Sequence, residues 1–256
     1  MRERGSFWTA GTAAAVSLVV LNGACDSRPE TGAVSSRTET ATTRAPSAET
    51  AERTGRSLVR VVNAIPGGRA IDVYAGDSAA FTQVAFRKVT PFRQIASNAS
   101  SFQIRAAPEG KPIAENREAM ADGGHYTIIA MPDEGGPDKR NLRVLNDDFA
   151  PVPGDKARIR LVNAIPGEAD LTLKLRGFDD ELFSDVAFQR EAGWKDVDPF
   201  VGTLVLLNGD GKVIATLPEM KVMGGKSYTL VATGRRTKAE VIKVEDDVKP
   251  VVEDQN

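Results

Sequence analysis

Short stretches in which apolar and polar residues alternate recur along most of the chain. In residues 158–161 and 171–175 the apolar side chains fall on every second position, which is typical of a strand with one buried face. Residues 126–130 and 228–232 are rich in β-forming residues and come just after Gly-Gly, a turn signal. The segment Asn-Gly-Asp-Gly at 208–211 separates two apolar runs and predicts a hairpin, because Asn and Gly tolerate positive φ. About seven short strands per hundred residues indicate an all-β, immunoglobulin-like sandwich.

An internal repeat sets the domain organisation. Residues 60–67 read Arg-Val-Val-Asn-Ala-Ile-Pro-Gly, and residues 160–167 read Arg-Leu-Val-Asn-Ala-Ile-Pro-Gly. Val-Ala-Phe at 84–86 returns at 186–188, and the acidic end at 146–148 returns at 245–247. The repeat predicts two tandem antiparallel β-sandwich domains, over residues 57–152 and 153–249, followed by a disordered tail over 250–256.

One segment has the composition of a helix rather than of a strand. Residues 113–121 read Ile-Ala-Glu-Asn-Arg-Glu-Ala-Met-Ala, but the equivalent residues 214–220 contain Pro218, which a helix interior tolerates poorly. Since the two copies should share one fold, we expect both segments to be extended.

The N-terminal 25 residues have the pattern of a targeting segment. Arg2 and Arg4 precede an uncharged apolar run over 7–21, which is too short to span a bilayer comfortably. The run ends in small residues directly before Cys25, the only cysteine, and this resembles the lipobox of bacterial lipoproteins. The resemblance implies a signal peptide over 1–25 and a Cys25 acylated with diacylglycerol and a further chain such as palmitate. The alternative is a plain secretory signal with an incidental cysteine.

A tether is expected between this anchor and the folded part. Residues 26–56 are mainly Ser, Thr, Ala, Glu and Arg with no aromatic residue, so they cannot bury enough surface to offset the entropy of ordering. As a flexible chain they would hold the folded part about 30 Å from the anchor. The expected location is the cell envelope, at its periplasmic or extracellular face, with the membrane contacted through lipidated Cys25.

The opening of each copy carries a family resemblance. Val-Asn-Ala-Ile-Pro-Gly, followed in the first copy by Ala-Ile-Asp-Val-Tyr at 70–74, resembles the domain-of-unknown-function 4397 family of bacterial secreted proteins and lipoproteins, often found in tandem. Asn63 and Asn163 stand where that family commonly has His. The resemblance would cover about residues 58–248 and implies a β-sandwich in the envelope, without an established activity.

Asn63 and Asn163 are the first candidates for a site. Each shares strand parity with an apolar residue expected to face inward, and each lies three residues before a Pro-Gly turn. An inward Asn in this position most often bonds the backbone of the turn that follows it. Ligand binding is the alternative.

The inventory of reactive residues argues against an enzyme. The chain has one His, His125, and one Cys, and it lacks both a Gly-x-Ser-x-Gly elbow and a phosphate-binding loop. We therefore expect no catalytic residue, no cofactor and no cofactor-binding residue, with His125 a solvated residue at a strand edge. The formal net charge of -2 gives no basic surface for nucleic acid.

Three acidic clusters, at 147–148, 179–181 and 246–247, could offer oxygen ligands to calcium. Adjacent carboxylates on a strand point to opposite faces, however, and none of the clusters has the alternating spacing of a calcium loop. We expect solvated charge at strand ends and no metal site.

These observations leave two functional hypotheses. The first is a non-catalytic envelope lipoprotein that binds an unknown envelope protein or glycan, as an adhesion module does. The second is a structural spacer or a subunit of an envelope assembly, in which the second domain mainly docks against the first.

Overall fold

The computed structural model describes residues 55–99, 101–105, 111–147, 152 and 155–247. All of them belong to one compact unit. None of the described residues is helical, so this part of the chain has no apolar helix long enough to cross a membrane.

Within the described residues, sixteen strands form two modules of eight, and they are numbered in chain order. The strands of module 1 are β1 Arg56–Asn63, β2 Ile71–Ala75, β3 Ser78–Val84, β4 Arg93–Ala96, β5 Phe102–Arg105, β6 Pro112–Asn116, β7 His125–Asp133 and β8 Gly136–Asn146. The strands of module 2 are β9 Ala157–Asn163, β10 Leu171–Leu175, β11 Glu181–Val186, β12 Glu191–Val197, β13 Phe200–Leu207, β14 Val213–Val222, β15 Lys226–Arg235 and β16 Lys238–Asp247.

Each module is a sandwich of two four-stranded sheets with the same strand order. The outer sheets have the orders β3-β2-β5-β6 and β11-β10-β13-β14, and the inner sheets have the orders β4-β1-β7-β8 and β12-β9-β15-β16. All pairings are antiparallel except β1 with β7 and β9 with β15, which are parallel. The prediction of an all-β fold with two tandem sandwiches is confirmed, with eight strands in each module rather than about seven.

The inner strands differ from the prediction in having two buried faces. In β1, Val59 and Val61 enter the module 1 core, whereas Val62 belongs to a separate buried cluster together with Val162 of β9. In β9 the alternation predicted solvent on the side of Arg160, but that residue is only 2% exposed. Alternation along one strand cannot show that a second sheet covers its polar face.

The segment 214–220 is extended, as the repeat predicted, whereas 113–121 is a strand only as far as Asn116, and residues 117–121 are neither helix nor strand. Residues 112–116 form β6, and β14 runs through Pro218. The proline is tolerated because β14 is an edge strand and its pairing with β13 is irregular there, with Glu219 at a φ of 50°. The predicted hairpin joins β13 to β14, where Gly211 has a positive φ of 73°.

Candidate binding site at the module junction

The inner sheets of the two modules pack against each other, and this contact is called the junction below. Its apolar part is a cluster of ten buried residues from both modules: Val62, Ala64, Ile129, Met131, Leu145, Val162, Ala164, Val231, Ile242 and Val244. Because these side chains leave water as a group, their burial favours a fixed arrangement of the modules.

One end of the junction is closed by ion pairs that cross between the modules. Arg60 donates two hydrogen bonds of 2.7 Å to the two carboxylate oxygens of Asp246. Arg160 donates one hydrogen bond, from Nη2 to Asp147 Oδ1, and the other oxygen of Asp147 accepts from Arg60 Nη2 at 3.4 Å. Arg60 and Arg160 are equivalent in the repeat, as are Asp147 and Asp246, so the pairing is what an approximate twofold axis produces.

Further contacts hold the two guanidinium groups in place. The Nε atoms of Arg60 and Arg160 donate to Thr127 and Thr229 at 2.8 and 2.9 Å. Each guanidinium also lies over an aromatic ring, that of Phe92 at 4.4 Å and that of Trp194 at 4.1 Å. Burial lowers the pKa of the Arg160 guanidinium, and the Asp147 carboxylate acts in the opposite direction.

This cluster corrects the prediction of solvated acidic residues for Asp147 and Asp246. Asp147 has a side chain 3% exposed, that of Asp246 is 18% exposed, and both are paired with arginine. Asp247 pairs with Lys226 near the surface, and residues 179–181 are exposed. Among the described residues, no group of three or more His, Cys, Asp and Glu side chains is arranged to hold a metal.

Asn63 and Asn163 hold the turns that follow them, as predicted. The side-chain oxygens accept from the N–H groups of Ile65 and Ile165 at 2.9 and 3.0 Å. The amide of Asn63 donates to the Val84 carbonyl, and both residues are fully buried. The amide of Asn163 donates to the carbonyls of Val186 and Glu168. The side-chain amides of both residues therefore form their hydrogen bonds with backbone groups and not with a ligand.

The other end of the junction is open and forms a groove of about 750 Å³. Module 1 contributes the Pro66-Gly67 turn and the turn between β7 and β8, while module 2 contributes Pro166-Gly167, Phe188 and the turn between β15 and β16. The volume is in the range of small-ligand sites, which run from about 300 to 1,000 Å³. The repeated sequence shows both Pro-Gly turns but gives no sign that they lie beside one groove.

The two hairpin turns beside the groove carry opposite charges. Tyr126 and Tyr228 hold equivalent positions, since each accepts a hydrogen bond from the backbone five residues earlier. In module 1, the residues seven and eight positions after this tyrosine are Asp133 and Glu134. In module 2, the residues at the same two positions are Arg235 and Arg236. These pairs are called the acidic lip and the basic lip.

The remaining predicted site residues lie elsewhere. Cys25, with the whole of the signal peptide, is outside the described residues, as are 26–54 of the tether and the tail over 250–256. His125 begins β7, a central strand rather than an edge strand, and its half-buried ring meets that of Phe92 edge to face at 5.9 Å.

A model of one protein family matches part of the chain. Residues 57–174 match the model of the Domain of unknown function family DUF4397. This range covers module 1 and reaches into β10, so the resemblance seen in the opening of the first copy is confirmed. A search of the curated proteins found no match.

Solved structures give only weak likenesses. The C-terminal domain of AlgF from P. aeruginosa is 26% identical, with 36% of this chain and 100% of that chain covered and a TM-score of 0.31. A candidate cell adhesion protein from Bacteroides uniformis is 11% identical, with 76% of this chain and 98% of that chain covered and a TM-score of 0.26. At such TM-scores, these likenesses add nothing to what the strand topology shows.

Proposed function

We propose that this protein is a non-catalytic binding protein of the cell envelope and that the groove at the open end of the junction receives its partner. The observation that carries the proposal is the groove itself, which neither module could form alone. Binding sites commonly lie between domains and combine apolar walls with a few charged groups, as this groove does.

The chemistry of the lining supports binding rather than catalysis. The described residues around the groove are Ile, Pro, Gly, Phe, Asp, Glu and Arg, without a His, Cys, Ser, Thr, Lys or Tyr to act as nucleophile. Neither Asp133 nor Glu134 has a histidine, serine or cysteine beside it in that lining. Turns and loops presented by a rigid scaffold are also where recognition residues concentrate.

Anchoring through lipidated Cys25 is part of the proposal and rests on the sequence alone. A multiply acylated cysteine would hold the protein stably at the membrane. Cys25→Ala is expected to move the protein from the membrane fraction to the soluble fraction, and unchanged membrane association would count against the anchor.

Photo-cross-linking tests the groove directly. A benzoylphenylalanine placed at Phe188, which lines the groove, should form adducts with a specific partner in the native envelope. The matched control is Phe178, which is 59% exposed in the turn after β10 and is not part of the groove lining. Adducts at 188 and not at 178, identified by mass spectrometry, would support the proposal; equal or absent adducts at both positions would contradict it.

A structural spacer is the second candidate, and the buried ion pairs of the closed end favour it. They join the two modules within one compact unit, as a spacer requires. A spacer needs no ligand in the groove, so cross-linking that is confined to surfaces away from position 188 would favour this alternative.

A further inference from the structure

We infer that the groove takes a dipolar segment of a partner polypeptide, with an acidic group against the basic lip, a basic group against the acidic lip and apolar atoms between them. The inference rests on the proposed function and names the ligand class of the same site. It follows from the two lips, which carry opposite charges at equivalent positions of the two modules.

The basic lip presents two exposed guanidinium groups, of which one is paired and one is not. Arg236 is held by Glu168, whose side chain is 3% exposed and accepts from the Arg236 Nε at 2.7 Å. Arg235 is exposed and has no hydrogen-bond or ion-pair partner within the described part of the chain. A Cβ on Gly67 would lie 3.6 Å from its Nη2 atom, so the guanidinium reaches across to the bare Pro-Gly turn of module 1.

The acidic lip presents a carboxylate in the same way. Asp133 is engaged locally, because one of its oxygens accepts from the N–H of Gly135 at 2.8 Å. Glu134 is exposed and unpaired within the residues that the structure describes. Arg140 also lines this side and donates from Nη1 to the Lys139 carbonyl; its single positive charge is outnumbered by the two carboxylates of the acidic lip.

No ion pair between described residues joins the two lips across the groove. Opposite charges that face an open space without contact are complementary to a ligand that carries both signs. Between the lips, Ile65, the two prolines of the Pro-Gly turns and Phe188 offer apolar contact.

Both signs of charge favour a polypeptide over a glycan. Acidic and basic side chains occur together in ordinary protein segments, and their aliphatic stems supply apolar atoms between the charges. A polyanionic glycan would place negative groups against the acidic lip, where like charges repel. A neutral glycan would leave both charges desolvated without a partner.

A simple probe isolates this chemistry. The ligand 6-aminohexanoate carries a carboxylate and an ammonium on an apolar chain, whereas hexanoate and hexylamine carry one charge each. NMR titrations of the full chain would follow the amides of Gly67, Gly167 and Gly234, all of which line the groove. We expect 6-aminohexanoate to bind about two- to fivefold more tightly than either analogue, which is the size expected of one exposed ion pair.

Two charge-removing variants assign each end of the probe. Arg235→Gln removes the positive charge, so it should reduce the affinity for the two ligands with a carboxylate, 6-aminohexanoate and hexanoate, but not for hexylamine. Glu134→Gln removes the negative charge, so it should reduce the affinity for the two ligands with an ammonium, 6-aminohexanoate and hexylamine, but not for hexanoate. Lys212→Gln, in the exposed loop between β13 and β14, removes one charge away from the groove and should change none of the three.

The possible outcomes separate the ligand chemistry from the proposed function. Hexanoate binding as tightly as 6-aminohexanoate, with no effect of Glu134→Gln, would indicate a purely anionic ligand, such as an acidic glycan, and would overturn the inference. Failure of all three probes to shift the groove amides would overturn it as well. If position 188 still cross-linked a partner in that case, the proposed function would stand and only the ligand class would be wrong.

Discussion

The two ends of the junction use the same kinds of charged residue in opposite ways. At the closed end, equivalent positions carry the same charge in both modules, Arg60 with Arg160 and Asp147 with Asp246. The arginine of each module can therefore pair with the aspartate of the other, and it does. At the open end, equivalent positions carry opposite charges, and no ion pair between described residues joins the two lips.

This difference indicates which end stabilises the protein and which end is available to a partner. Charges taken out of water must be paired, because an uncompensated buried ion costs several kcal/mol. Charges on an exposed lip carry no such requirement and can be selected for recognition. Substitutions of charged residues should therefore lower the free energy of unfolding much more at the closed end than at the open end.

Removing the shared carboxylate of the closed end should have the largest effect. Asp147→Asn leaves the guanidinium of Arg160, a side chain 2% exposed, without its main counter-ion, and removes a partner of Arg60. Breaking a buried pair by loss of one partner costs about 3–5 kcal/mol. Chemical denaturation should show a loss of stability at the lower end of that range, since Glu191 remains 3.6 Å from Arg160.

Two further aspartates serve as controls for this prediction. Asp246→Asn should cost less than Asp147→Asn, because its side chain is more exposed and it contacts Arg60 alone. Asp179→Asn lies in an exposed turn and should stay within about 0.5 kcal/mol of the parent. A loss at Asp147 no larger than at Asp179 would show that the closed end does not stabilise the fold.

A smaller effect is expected from the asparagine behind the groove. Asn163→Ala removes the acceptor for the Ile165 N–H and the donor for two carbonyls, all near the Pro166-Gly167 turn. Leaving buried backbone groups unsatisfied costs about 1–3 kcal/mol. Thermal denaturation measures this loss, and Asn63→Ala should cost less because its amide serves only one carbonyl. A larger loss from Asn63→Ala would contradict this account.

The strands and turns were predictable because they are local. Period-two alternation located β10, and the glycines of the 208–211 segment located the hairpin before β14. The junction was not predicted because the alternation of residues along a strand shows which face is polar but not whether another sheet covers that face. One signal did exist: Arg60 and Arg160 stand among apolar residues at the same place in both copies, and each copy ends in aspartate. An arginine kept between buried neighbours needs an acid nearby.

The groove could be predicted only in part. Both Pro-Gly turns were recognisable, and so was the role of Asn63 and Asn163 in holding them. Their position beside the Asp133 and Arg235 turns depends on how the modules dock, which involves residues about a hundred positions apart. Such a contact follows from tertiary packing and leaves no local pattern in the sequence.

The smallest effect on folding is expected at the lips. Arg235→Gln and Glu134→Gln each remove an exposed charge without a partner among the described residues, so the free energy of unfolding should change by less than about 0.5 kcal/mol. Denaturation curves should overlay the parent for both variants, even where binding of 6-aminohexanoate is reduced. A loss above about 1 kcal/mol would mean that the lips contribute to the fold as the closed end does. The two ends of the junction would then differ in how exposed their charges are, and both would stabilise the fold.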